Sequence, residues 1–335
     1  MEKQFALVVL NWNGKKLLET FLPTLVNYSP QANIYVVDND STDGSQALIH
    51  QEFPSVQLIQ NDGNYGYAKG YNLGLISLRE PLLVLINSDI EVTENWLEPI
   101  AQLFNEDPEV AIVQPKILDY KNKAYFEYAG AAGGYIDKYG FPYCRGRIFD
   151  TIEKDEGQYD DITSIFWASG ACFFIKNDVF KALQGFDETF FAHQEEIDLC
   201  WRAQNRGYSI KYCGYSTVYH VGGATLNYEN PRKTYLNFRN SLMMLYKNLP
   251  ARQKFSTIFI RLCLDGIAGI RFLLLLKPKH CWAIIRSHFA FYKRIPSLRN
   301  KVESGNINNY FTDKSIIYSY FVCRKRNFIE THNKQ

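Results

Sequence analysis

The chain has 335 residues, 46 % hydrophobic and 21 % charged, enough apolar material for a sizeable core, which excludes global disorder. Its net charge of +2 hides a split: residues 231–335 carry 20 Lys and Arg against 4 Asp and Glu (+16), leaving 17 against 31 (−14) before them. Seven cysteines, an odd number with no CxxC pair, argue against a disulfide framework or zinc site and suit reduced cytoplasmic thiols.

The apolar run at 5–10 is too short for a signal segment and lacks a basic lead, so it reads as a buried strand. Strands are predicted at 6–10, 34–37, 56–59 and 82–86, with helices at 16–25, 45–51 and 68–78 between them. Near-continuous apolar strands separated by helices imply a parallel sheet covered on both faces, with ligands at the carboxyl ends of the strands. Each strand ends in polar residues: Asn11-Trp12-Asn13-Gly14, Asp38-Asn39-Asp40-Ser41, Asn61-Asp62-Gly63-Asn64 and Asn87-Ser88-Asp89. From 130 to 161 the pattern loosens around Gly133, Gly134, Gly140, Pro142 and Gly146, as expected of a lid or a disordered segment. Arg145 and Arg147 read as solvated loop residues that reach phosphates only if the lid closes. Order resumes with a strand at 171–175, helices at 178–183 and 195–206, and extended segments at 208–213 and 217–220.

The charge split marks a boundary at 230/231, beyond which the pattern is helical. Phe255, Ile258, Phe259, Leu262, Ile267, Ile270, Leu273 and Leu274 recur at helical spacing, and a second helical stretch covers 282–292. Arg261, Asp265 and Arg271 interrupt the run, so it does not supply the roughly 18 apolar residues of a membrane span. A basic amphipathic helix lying in an anionic membrane surface is expected; a helical subdomain packed on the rest, or on a second subunit, is the alternative.

Three acidic or imidazole features carry the chemistry. Asp89 follows an apolar strand in Asn87-Ser88-Asp89, a position from which a carboxylate holds a hard divalent cation. Glu195-Glu196-Ile197-Asp198 opens a helix, where the dipole tolerates adjacent acids. One of the two glutamates suits a general base, while Asp198 suits an ion pair with Arg202 four residues on. His220 ends an extended segment before Gly222-Gly223 and reads as either a metal ligand or a structural histidine.

These pieces join into five ordered motifs: Val8-Val9-Leu10-Asn11-Trp12-Asn13-Gly14; Val36 to Ser45, with Asp38-Asn39-Asp40; Asn64 to Asn72; Asn87-Ser88-Asp89; and Glu195 to Arg202. Together, over residues 4 to about 225, they resemble the family 2 glycosyltransferases of the GT-A fold, especially the bacterial rhamnosyltransferase-like branch. The resemblance implies an α/β catalytic domain over 1–230, with a Rossmann-like, mostly parallel central sheet flanked by helices, and a C-terminal helical extension over 231–335.

It also implies roles. Asp38 looks like the residue that binds a pyrimidine base, and Asn64, Gly66, Ala68 and Asn72 look like the segment beside the ribose and diphosphate. Asn11 and Ser88 belong with the donor site, and Asp89 looks like the metal ligand of a DxD-type motif whose first acid is Asn87 here. Glu196 resembles the catalytic base, Glu195 its neighbour that orients the acceptor, His220 a second metal ligand and Trp167 an acceptor-site aromatic. The expected reaction is inverting transfer, assisted by Mg2+ or Mn2+, from a dTDP- or UDP-sugar, with rhamnose the best guess. The expected acceptor is a saccharide carried on lipid, at the inner face of the membrane. A homodimer is compatible with this reading, and no nucleic-acid partner is expected. A nucleotidyltransferase would carry a Gly-rich, Lys- or Arg-bearing loop after the first strand, which Asn11-Trp12-Asn13-Gly14 is not. A non-catalytic sugar-nucleotide-binding protein would not need Asp38, Asp89 and Glu196 together.

Overall fold

The computed structural model describes residues 3–222, 230–301, 307 and 310–332. Its first half alternates β1 (Phe5–Asn11), α1 (Lys15–Asn27), β2 (Ala32–Asp38), α2 (Ser45–Glu52), β3 (Gln57–Gln60), α3 (Gly66–Leu75) and β4 (Leu82–Asn87). β1 pairs in parallel with β2 and β4, and β2 with β3. The apolar run of β1 is continuous because both faces are covered: Ala6 and Val8 enter one core, Phe5, Leu7 and Val9 the other.

Next come β5 (Ile90–Val92), α4 (Glu98–Glu106) and β6 (Val110–Asp119), and then four short strands: β7 (Gly134–Ile136), β8 (Pro142–Cys144), β9 (Arg147–Ile148) and β10 (Thr151–Ile152). β11 (Ile162–Ser164), β12 (Cys172–Lys176), α5 (Asn177–Ala182), α6 (Glu195–Asn205) and β13 (Ser209–His220) follow. The main sheet runs β11-β13-β6-β12-β4-β1-β2-β3, with β5 pairing β13. β12 is antiparallel to both β4 and β6, while β13 returns parallel to β6. The two extended segments expected at 208–213 and 217–220 are one strand, whose register with β6 shifts between Cys213 and Thr217.

The loosely patterned stretch is not an irregular lid. β7–β10 form a second, antiparallel sheet. Gly140 and Gly146, at φ 78° and 87°, turn the chain between strands of two or three residues, too short to show a period. Residues 310–332 cover it: Tyr320 meets Thr151 through their hydroxyls at 2.8 Å, and Ile316 N donates to Asp137 Oδ2 at 3.0 Å. Arg145 and Arg147 are correspondingly not solvated. Arg145 Nη2 donates to both oxygens of Asp161 at 3.0 and 2.8 Å, and Arg147 Nε donates to Tyr128 O at 2.7 Å.

The C-terminal part contains α7 (Pro231–Asn248), α8 (Ala251–Leu274), α9 (Pro278–Leu298) and α10 (Phe328–His332). Residue 231 is a helix start: Asn230 caps α7 by accepting from Arg232 N at 2.9 Å, and Pro231 occupies the first turn. α7 belongs to the same core as β1 and β12, with Leu242, Met243, Met244 and Leu245 fully buried. α8 has inverted polarity. Its Arg261 and Asp265 are buried and paired at 2.7 Å, whereas Phe255, Phe259, Ile267, Ile270 and Leu274 face outward. Among the described residues no helix is long and apolar enough to cross a membrane.

Candidate active site

Strand register assembles the rim. Asn11 lies opposite Asp38, Asp38 opposite Gln60, and Leu10 opposite Asn87, so the polar strand ends form one row. Asp38 is fully buried and anchors that row. Its Oδ2 accepts from Asn11 Nδ2 at 2.8 Å; its Oδ1 accepts from Ser41 N, Gln46 Nε2 and Gln60 Nε2 at 2.8, 2.9 and 3.1 Å. Asn11 Oδ1, also buried, finds no partner among the described residues, and Ser88 lies at the same corner, beside Gly14.

The 64–72 segment opens α3. Asn64 is exposed and its Oδ1 accepts from Gly66 N at 3.1 Å; Ala68 is fully buried. Gly66 has φ 71°, and a Cβ there would come within 2.8 Å of Phe191 O, so a side chain would push apart the start of α3 and the 190s turn. Asn72 has a different job from the one expected beside the donor. Its Nδ2 donates to Phe186 O at 2.9 Å and its Oδ1 accepts from Phe186 N at 2.9 Å, which fastens α3 to the turn before α6.

At the end of β4 the antiparallel pairing of β5 with β13 sets His220 opposite Ile90, next to Asp89. His220 Nε2 lies 3.2 Å from Asp89 Oδ1, and its Nδ1 lies 3.4 Å from Glu127 Oε1. Burial disfavours the charged ring, yet the two carboxylates outweigh it and raise the His220 pKa to about 10. Burial would also raise Asp89, but the His220 contact holds it below its ordinary value. Among the described residues no three His, Cys, Asp or Glu side chains form a closed metal cluster. Asp89 and His220 nevertheless fit a cation, provided the ion displaces the proton that the two carboxylates hold on the ring, since only neutral imidazole has a lone pair to give. Ligand atoms 3.2 Å apart are spaced like neighbours about 2.0–2.3 Å from one ion, and a site with few protein ligands suits an ion shared with substrate phosphates. Glu127 then fixes the ring from behind, as carboxylates do for ligating histidines. Glu127 was missed in the sequence because it lies between the β6 strand and the Gly-rich stretch, outside every motif.

The acid pair sits at the start of α6, after a strained turn: Phe191, His193 and Gln194 have φ 67°, 71° and 73°. α7 holds that turn in place. Asn240 Nδ2 donates to Phe190 O, Ala192 O and His193 O at 3.1, 2.9 and 2.7 Å, and Arg239 Nη2 donates to Phe190 O at 2.9 Å. Asp198 pairs with Arg202 at 2.9 Å, as its i+4 spacing predicts, and also with Lys247 at 2.8 Å. Glu195 is buried, and its Oε2 finds no partner among the described residues. Burial, then the charge of Glu196, push its pKa well up. Glu196 is half-buried, and burial raises it to about 7. The pair lies beside the Asn87–Asp89 edge: Asn87 N donates to Ala171 O at 2.9 Å, and a Cβ on adjacent Gly170 would stand 3.8 Å from Glu196 Cβ. Tyr67, whose hydroxyl donates to Gly170 O at 2.8 Å, supports this corner; its motif position gave no hint of that.

Trp167 departs from expectation. It is 4 % exposed, its Nε1 donates to Tyr135 O at 2.8 Å, and its ring lies against Gly134 of the second sheet. It is a core residue that joins the two sheets, and its ring face is closed to an acceptor. The small sheet that buries it was not legible as a sheet.

Comparison with known proteins agrees with this architecture. Over 254 residues the chain is 25 % identical to the low-salt glycan biosynthesis hexosyltransferase Agl10 of Haloferax volcanii, covering 72 % of this chain and 76 % of that protein. It is 22 % identical over 228 residues to the N-acetylglucosaminyl-diphospho-decaprenol L-rhamnosyltransferase of Mycobacterium tuberculosis, covering 64 % and 74 %. The fold matches that of the mannosyltransferase PcManGT from Pyrobaculum calidifontis, solved with GDP-Man and Mn2+, at TM-score 0.53 and 13 % identity, over 88 % of this chain and 87 % of that one. Residues 6–183, more than half of the chain, match the model of glycosyl transferase family 2, and the chain belongs to that family.

Proposed function

We propose that this glycosyltransferase moves a sugar from a nucleoside diphosphate to a hydroxyl of a lipid-linked saccharide, inverting the anomeric carbon. The observation that carries this reading is the meeting of two unlike acid sites on one rim: Asp89, held ionised beside His220, and Glu196, raised to about 7. A carboxylate of pKa near 7 is suited to general-base work at neutral pH. Glu196 takes the proton from the acceptor hydroxyl as that oxygen bonds to the anomeric carbon. The bond from that carbon to the donor's diphosphate breaks, and its electron pair leaves with the nucleoside diphosphate. Asp89 and His220, oriented by Glu127, would hold Mg2+ or Mn2+; when bound, such a cation neutralises charge on the departing diphosphate. Asn11, Asp38, Asn64, Gly66, Ala68 and Ser88 shape the donor side. The donor we propose is a dTDP- or UDP-sugar, and similarity to the rhamnosyltransferase supports rhamnose as the sugar transferred.

Asp89→Ala is expected to abolish Mn2+-dependent stabilisation of the protein by a sugar nucleotide, read as the shift in melting temperature. A shift as large as that of the unsubstituted chain counts against the metal assignment.

The membrane part of the proposal rests on the inverted polarity of α8 and on its C-terminal end, where Leu274, and Leu276 in the turn that follows, are 79 % and 88 % exposed. Contiguous exposed apolar surface of this kind marks a membrane or partner surface, and the flanking Arg271, Lys277 and Lys279 favour anionic headgroups. Leu274→Glu with Leu276→Glu should reduce cosedimentation with phosphatidylglycerol vesicles by about tenfold or more. Undiminished sedimentation refutes the assignment of this surface.

A further inference from the structure

A groove of about 790 Å³ runs between α7, α9 and the turn at 188–191. Arg232, Arg239, Lys279, Arg286 and Arg294 line it. Among the described residues none of Arg232, Lys279, Arg286 and Arg294 forms an ion pair. The acid at its edge, Glu188, accepts from Asn72 Nδ2 at 3.2 Å. Arg239 is fixed at the base by its bonds to Phe190 O at 2.9 Å and Asn240 Oδ1 at 2.8 Å. Burial and then the nearby charge of Arg294 lower its pKa, as crowded like charges do. Tyr235 carries Arg286 over its ring at 5.6 Å. Several guanidinium groups around a concave site, against the single carboxylate of Glu188 at its edge, match the geometry of phosphate oxygens.

Two neighbours of the groove matter. Phe191 forms part of its wall, with Arg232 over its ring at 5.6 Å; its carbonyl accepts from Tyr67 N at 3.1 Å, and the strained turn continues into Glu195 and Glu196. Trp282, also in the lining, is 59 % exposed and begins an outward apolar stripe on α9 with Ile285 and Phe289. The cationic groove is therefore bordered both by the turn that leads to the acid pair and by an apolar surface.

We infer that this groove holds the diphosphate of a polyprenyl-diphosphate-linked acceptor, with the prenyl chain along α9 and the acceptor sugar toward Glu196. The inference rests on the lipid-linked acceptor reading above and adds the linkage and its binding residues.

Calorimetry of the full chain with farnesyl diphosphate, without metal, tests it. Arg286→Gln with Arg294→Gln should weaken binding by at least about tenfold, through loss of charge-assisted contacts. Arg252→Gln with Lys293→Gln, an equal charge change outside the lining, should weaken it less than about twofold, since screened surface charges act weakly at a distance. Equal losses in the two pairs overturn the inference. So does displacement of the probe by UDP, which assigns it to the donor side, or by phosphatidylglycerol vesicles, which assigns the groove to phospholipid headgroups. Should the double variant melt below the unsubstituted chain, Arg286→Gln alone, at an exposed position, gives the same comparison with Arg252→Gln. Vesicle sedimentation and sugar-nucleotide protection of the unsubstituted chain are read in parallel. Their failure removes the lipid-acceptor reading itself, whereas their persistence with equal losses removes only the groove.

Discussion

Glu196→Gln is expected to lower glycosyl transfer by about 10²–10⁴-fold while leaving sugar-nucleotide binding intact, because the substitution removes a general base and keeps its shape. The pH dependence follows from its raised pKa. In the unsubstituted chain the rate should fall as pH drops through about 7, where Glu196 takes up a proton and can no longer accept one from the acceptor. The stability effect has the opposite sign. A carboxyl whose folded pKa lies above its unfolded value binds its proton more tightly when folded, so stability falls as pH rises from the ordinary carboxylate range to about 7. Glutamine removes that penalty, and the variant should melt above the unsubstituted chain at pH 8. Full turnover in Glu196→Gln, measured with purified protein and acceptor, assigns the base elsewhere.

Lys247→Ala should be the most damaging substitution to the fold. Lys247 is 1 % exposed and donates to Asp187 at 2.7 Å and to Asp198 at 2.8 Å, tying α7 to the turn before α6 and to α6 itself. Removing one partner of a buried ion pair leaves uncompensated charge and costs about 3–5 kcal/mol. Burial would raise both aspartates, but Lys247 holds each below its ordinary value. Their stabilising contribution is therefore present above the ordinary carboxylate pKa and is lost as pH falls below it. Urea unfolding at pH 7 measures the loss; an unchanged midpoint would mean that the clamp is dispensable. The same contacts predict that a chain ending at residue 230 does not yield a folded catalytic domain, because Asn240, Arg239 and Lys247 hold the turn that aims Glu195 and Glu196.

What the sequence made legible follows from range. β1 to β4 and their polar ends could be read because each strand is a continuous apolar run and the rim lies at its last residue. Asp89, His220 and the Glu195–Glu196 pair stood out as charged groups at element ends. Glu127 did not, since its partnership with His220 spans 93 residues and leaves no local trace. The second sheet was hidden by strands too short to show alternation, and Trp167 was misread for that reason. The charge split at 231 is real, but charge reports the outward face of the helices. It does not reveal that one face of α7 is core, and that inner face determines whether the turn before Glu195 and Glu196 keeps its shape.

The central claim, that this rim binds a sugar nucleotide with a divalent cation, is tested most directly by thermal melting of the full chain. The panel pairs UDP-, dTDP- and GDP-sugars with Mn2+ or Mg2+, since a ligand that binds only the folded state raises the melting temperature. The account predicts that at least one sugar nucleotide raises it with metal present and not with chelator. It is contradicted if no sugar nucleotide moves the melt beyond the metal alone.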